Sequence, residues 1–175
     1  MELLKGDQIG TRSSGTADWL LSLGRSGVDA YRRFAATNNV ADIDRAVLLF
    51  EKATVLLDSG SINSAILFLN LGSAFYRRFV VTGNLDDIEH AASAFRQSAS
   101  HLTIDSPVSL RVSEKLTVSL VNIGDMLGAC ALEERVLFFR RRLAEADPSN
   151  SQSQRDLSVS YERLAELTAG QEDLG

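Results

Sequence analysis

Asp86, Asp87 and His90 fall within the five residues of DDIEH, where helical winding would set an aspartate and the histidine on one face, a spacing that metal ions use. The position matching His90 in a related earlier stretch is Arg45, however, and no second His or Cys stands at ligand distance in the sequence. The acids therefore read as the negatively charged first turn of a helix. His101 stands near a helix end, where an imidazole complements the dipole. Cys130 is the single cysteine, and a nucleophilic thiol needs a poised base that no neighbouring motif supplies. Arg140–Arg142 in FRRRLAE form the one basic cluster, with Glu133, Glu134 and Glu145 near enough on a helix to pair with it. Phosphate-binding glycine loops, HExxH and CxxC motifs are absent. No catalytic residue, cofactor site or metal site is assigned from the sequence.

The chain repeats structure rather than chemistry. YRRF occurs at Tyr31–Phe34 and again, 45 positions on, at Tyr76–Phe79. Gly27–Ala46 and Gly72–Ala91 share ten of twenty residues at that offset, which makes the repeat the first thing to explain. Each copy divides into two helices. Leu20, Leu23, Gly27, Ala30, Tyr31 and Phe34 follow helical spacing, as do Ile43, Ala46, Val47, Phe50, Ala53 and Leu57. Between them, TNNVAD and TGNLDD offer Asn38 or Gly83 as a left-handed stop and Asn39 or Asn84 as the next N-cap. Asp42, Asp86 and Asp87 then sit at the positive end of a helix dipole.

The pattern continues in weaker form. Asn70-Leu71-Gly72 returns as Asn122-Ile123-Gly124, shifted by 52, and Leu157–Leu167 matches Leu116–Met126, shifted by 41. Ser106-Pro107 and Asp147-Pro148 mark boundaries, because proline disfavours a helical conformation before it and fits the first turn after it. The spacing predicts seven helices at 16–37, 40–58, 62–82, 85–103, 107–128, 131–146 and 152–169, the last without a partner, with residues 1–15 as a flexible lead-in and 171–175 as a tail.

The 175 residues suit one domain, with 45% hydrophobic and 23% charged residues in ordinary globular proportion. A net charge of −5 provides no basic footprint for nucleic acid. The N-terminus lacks the profile of a secretory signal and no stretch is apolar enough to span a bilayer, so a cytoplasmic protein is expected.

The third unit resembles a tetratricopeptide (TPR) repeat. Leu120, Ile123, Gly124 and Leu127 stand at that family's signature positions, Val136 at a small-residue position, and Pro148 follows the glycine by 24 residues. The second unit resembles it through Phe68, Leu71, Gly72, Phe75, Ala91, Phe95 and Pro107. Its first helix is longer than the family's by about two turns, similar to long-helix arrays in fungal and bacterial multidomain proteins of the CHAT-associated type. Arg140 departs from the pattern, since the family carries a bulky aromatic there; a one-step slip onto Phe138 or Phe139 is the expected accommodation.

The resemblance implies an all-α, right-handed α-solenoid over residues 16–170, with units 16–58, 62–103 and 107–146 and an unpaired helix 152–169. It also implies a concave groove lined by the first helix of each unit. One groove row holds Leu21, Ile66, Val118 and Val159, a second holds Arg25, Asn70, Asn122 and Arg163, and a third holds Arg32 and Arg77. A partner-binding groove is thus expected at Arg25, Arg32, Ile66, Asn70, Arg77, Val118, Asn122 and Arg163. The competing expectation is that the arginines pair with Asp42, Asp44, Asp87 and Glu89, and that Leu3, Leu4 and Ile9 fold back to fill the groove. The function so implied is non-catalytic binding of a protein or peptide partner without cofactor. A regulatory fragment of a larger signalling protein and a small helical ligand-binding protein or enzyme are the alternatives, and the unpaired helix leaves self-association open.

Overall fold

The computed structural model describes residues 8–56 and 61–172, with side chains placed for residues 18–56 and 61–170. Seven α-helices and no strand occur among the described residues: α1 (Gln8–Thr37), α2 (Val40–Val55), α3 (Ile62–Thr82), α4 (Leu85–His101), α5 (Pro107–Asn122), α6 (Met126–Ala146) and α7 (Ser151–Glu172). α1 starts at Gln8, so residues 8–15 of the expected lead-in are helical. Leu3 and Leu4, and the side chain of Ile9, lie outside what is described.

The first two hairpins turn by the same device, 45 residues apart. Asn38 (φ 54°) and Gly83 (φ 72°) adopt the left-handed conformation and donate backbone N–H groups to the carbonyls of Phe34 and Phe79. The side chains of Asn39 and Asn84 accept from the backbone N–H of Ala41 and Asp86, capping α2 and α4. Thr37 and Thr82 donate back to the carbonyls of Arg33 and Arg78 and accept from the next helix's N-cap nitrogen. The stop and start residues read from TNNVAD and TGNLDD are the ones used.

Two glycines set how closely each hairpin closes. A Cβ on Gly27 would lie 2.6 Å from the Phe50 ring, and one on Gly72 would lie 2.5 Å from the Phe95 ring. Both phenylalanines are buried and press directly on the facing backbone.

The third hairpin is built differently. α5 ends at Asn122, not near residue 128, and α6 begins at Met126, not 131. Gly124 (φ 79°) lies in the turn, with open space where a Cβ would be. Its place in the helix-turn-helix is that of Gly83, not of Gly72, which corrects the alignment of Asn122-Ile123-Gly124 with Asn70-Leu71-Gly72. Asp125 then caps α6 by accepting from the Gly128 N–H, and Arg96 of α4 holds that turn through an ion pair to Asp125 at 2.9 Å.

Each helix packs on its chain neighbours, and α3 also touches α1 and α5. This order of contacts is consistent with a helical repeat. α7, the helix expected to lack a hairpin partner, packs along α6. Its joint is largely polar. Arg140, in the position expected to carry an aromatic, is buried and donates to Ser160 Oγ at 2.7 Å and to Glu114 Oε1 at 2.9 Å. Ser160 in turn donates to fully buried Glu133. Of the two expected replacements, Phe138 is 64% exposed and Phe139 half-buried.

Candidate functional site

Three hollows adjoin along the odd-numbered helices, and Tyr31 borders all of them. The largest, about 490 Å³, lies between Asn70 and Ser73 of α3 and Lys115, Val118 and Ser119 of α5, with Phe50 and Leu69 among its apolar walls. The next, about 130 Å³, continues past Ser73, Tyr76 and Arg77 on α3 and Ser119 and Asn122 on α5. The third, about 240 Å³, runs on between Phe34 and Asn38 at the end of α1 and Val80 and Val81 of α3. Both α3 and α5 advance along the trough in chain order, so they run in the same direction. From Leu69 to Val81 the trough follows α3 for about 18 Å.

Its lining is mixed. Val118 is exposed and Tyr31 half-buried, with buried Phe50, Leu69 and Phe95 behind them, while Asn70, Ser73, Ser119 and Asn122 offer hydrogen-bond donors and acceptors. Arg77 and Lys115 carry positive charge and make no ion pair with a described residue. Glu114 also lines the trough, but its carboxylate is engaged by Arg140. Such a surface can hold apolar side chains and hydrogen-bond a polypeptide backbone between them.

Asn70, Arg77, Val118 and Asn122 come together here. The other four residues expected in the groove do not. Arg32 is exposed and faces Asp29 of its own helix at 3.7 Å, and Arg25 is exposed beyond the hollows. Ile66 packs against the core. Arg163 turns toward buried Glu133, 3.9 Å away, because α7 docks on α6 through that polar joint. Of the flanking row, Leu21 and Val159 are exposed and border none of these hollows. Tyr31, Ser73, Lys115 and Ser119 were missed. The signal was present: Asn70, Ser73 and Arg77, and Lys115, Val118, Ser119 and Asn122, are i+3/i+4 stripes on their helices.

The second arginine of each YRRF has a different role. Arg33 donates to Asp42 at 3.0 Å, and Arg78 takes both oxygens of Asp87, at 2.9 and 2.6 Å, and also reaches Asp44 at 3.1 Å. The hydrogen bond to Asp87 holds the Arg78 guanidinium above its ordinary pKa, against the opposing effect of burial. Pairing with the repeated acids thus accounts for Arg33 and Arg78, while Arg77 lines the trough.

The groups with chemical potential lie apart from the trough. His90 stacks on Phe75 with centroids 5.0 Å apart, and His101 on Phe68 at 5.3 Å. Cys130 is buried in α6, and burial, with the charge of Glu134, pushes its thiol pKa up. The Arg140–Arg142 cluster divides: Arg140 enters the buried joint, and Arg141 donates to the Tyr161 hydroxyl from over its ring. The expected pairing with Glu133, Glu134 and Glu145 gives way to these tertiary contacts. Among the described residues no group of three or more His, Cys, Asp or Glu side chains could hold a metal ion, and no described helix is long and apolar enough to cross a membrane.

No protein-family model and no curated protein matches this chain.

Proposed function

We propose that the chain is a non-catalytic protein–protein interaction module, a right-handed α-solenoid of tetratricopeptide-like hairpins that takes a peptide or helix of a partner protein in the trough along α1, α3 and α5. The observation that supports this reading is the continuity of three hollows past Tyr31, lined by helices of alternate order in the chain. A helix-on-helix stack leaves such a surface when each first helix faces the same way. The about 18 Å run matches roughly five residues of extended chain.

Affinity would come from exposed Val118 and half-buried Tyr31, and register from Asn70, Arg77 and Asn122. Those three side chains can form charge-assisted or neutral hydrogen bonds to backbone and carboxylate groups.

Selection of a displayed random-peptide library on the whole chain tests this. Enriched peptides should bind the parent and lose about tenfold or more in affinity against Asn70→Ala/Arg77→Ala and against Val118→Glu. Peptides that bind all three proteins equally, or a library that yields no binder, would remove the trough as the binding surface.

A further inference from the structure

A separate hollow of about 530 Å³ lies where α6 passes the end of α4, and it shares no residue with the trough. Along α6 it is bordered by Glu134, Phe138 and Arg142, with Phe139 beside them and Leu102 and Ile104 from the α4–α5 connection. Glu134, Phe138 and Arg142 stand at i, i+4 and i+8 and so share one helical face. All three are exposed, Phe138 to 64%. The lining is mixed, with Ser100, Thr103 and Arg135 among the polar residues, and an open phenylalanine at its edge is the kind of side chain that anchors an interface once covered.

The two charges flank Phe138 symmetrically, four residues to either side. They lie about 12 Å apart along the helix axis, too far to pair with each other. Neither forms an ion pair with another described residue. Their neighbours are engaged: Arg135 donates to the carbonyls of Ala99 and Leu102, and Arg141 to Tyr161. What remains on this face is a stripe reading acid, aromatic, base.

We propose that this face of α6 binds a second copy of the chain, laid antiparallel across the first about a two-fold axis at Phe138. Such an axis reverses the stripe, so Glu134 of each copy meets Arg142 of the other and the pair forms twice. A parallel arrangement would set Glu134 against Glu134 and Arg142 against Arg142, which like-charge repulsion opposes. The two Phe138 rings meet at the axis, with half-buried Ile104 and Phe139 flanking them and the charges outside. This is an apolar centre with a polar rim. The proposal is independent of what the trough binds.

Sedimentation velocity on the whole chain over a range of concentrations tests it. The expected result is a dimer whose dissociation constant rises about tenfold or more for Phe138→Ala, Glu134→Arg or Arg142→Glu. The charge-swapped double variant Glu134→Arg/Arg142→Glu should return to within about threefold of the parent, because both cross-pairs are restored with their signs exchanged. Its recovery separates lost contact from lost folding, since it carries both substitutions. A chain that stays monomeric to about 100 μM, whether the hollow takes another protein or a small ligand instead, overturns the proposal. A dimer indifferent to the single variants, or a double variant that fails to recover, overturns it equally.

Discussion

Arg78 grips Asp87 through two parallel hydrogen bonds, at 2.9 and 2.6 Å, and its remaining terminal nitrogen reaches Asp44. One side chain thereby ties the ends of α2, α3 and α4 together. Asp87 is 1% exposed, so its charge has no water to fall back on if the arginine goes. Replacing Arg78 with Ala should cost about 3 kcal/mol or more, the penalty of a buried carboxylate left without its partner. The equivalent pair, Arg33 and Asp42, is half exposed on the arginine side, and Arg33→Ala should cost under about 1 kcal/mol. Urea unfolding of the two variants side by side measures the difference. Equal losses would mean that the two copies of the motif contribute alike.

Gly72 predicts a sign. In a helix interior, glycine to alanine ordinarily stabilises by about 1 kcal/mol. Here the new methyl would stand 2.5 Å from the Phe95 ring, which is itself packed in the core. Gly72→Ala should therefore destabilise by about 1–3 kcal/mol, and Phe95→Leu in the same chain should recover part of the loss by opening space. Thermal unfolding of the single and double variants reads both effects; a raised midpoint for Gly72→Ala contradicts the close contact.

The same glycine shows how far the sequence could be read. The first two turns were legible because TNNVAD and TGNLDD place stop, cap and acid in fixed order, and backbone chemistry alone selects that geometry. Gly124 was misread because Asn-x-Gly reproduces the tripeptide around Gly72 but not its surroundings. Gly27 and Gly72 each have a phenylalanine 23 residues on, whereas 23 residues after Gly124 stands Asp147, with no ring to make room for. Gly124 followed by Asp125 is instead a helix stop and a cap. In the trough, Asn70 and Arg77 followed from the repeat positions that the resemblance implies, seven residues apart on one face of α3, whereas Asn122 was reached through the misread Gly124. Arg163 was not legible, because its direction depends on Glu133, a charged residue with no local sign that it is buried.

Thr117 of α5 is buried, and its hydroxyl has no hydrogen-bond partner among the described residues. A buried hydroxyl left unpaired retains its desolvation cost. Thr117→Val preserves the shape and removes that cost, so it should stabilise by about 1 kcal/mol. Chemical denaturation midpoints decide the matter, and a destabilised variant would mean that the hydroxyl is satisfied in solution.

Cys130 carries a consequence for pH. Burial raises its thiol pKa above the ordinary value, so the fold favours the protonated form. A folded-state pKa above the unfolded one gives stability that is fully present below the unfolded value and lost as pH rises through the folded one. Stability should thus fall on the alkaline side of the ordinary thiol range, and Cys130→Ala should flatten that part of the profile. Iodoacetamide should modify the native thiol at least about tenfold more slowly than the urea-unfolded chain at mildly alkaline pH. Matching rates in the two states would show an accessible thiolate.

Arg140 gives a loss shared by three helices. Its guanidinium is the junction of α5, α6 and α7, donating to Glu114, to Ser160 and to the Asp156 carbonyl. Ser160 then donates to Glu133, which is wholly enclosed, with its second carboxylate oxygen lacking a hydrogen bond and 3.9 Å from Arg163. Arg140 pairs directly with part-exposed Glu114 and reaches Glu133 only through Ser160, so Arg140→Ala should cost about 2–3 kcal/mol, the loss of hydrogen bonds from a charged donor. Arg140→Phe should not rescue it, despite restoring the residue type the repeat pattern calls for, because the ring brings no donor. Glu133→Gln keeps an oxygen for Ser160 and removes the charge, and should cost about 1 kcal/mol. Hydrogen exchange should locate the Arg140→Ala loss in α7, whose amides are expected to lose protection before those of α3 and α4. If α7 stays as protected as α3 in that variant, the polar joint is not what holds the last helix.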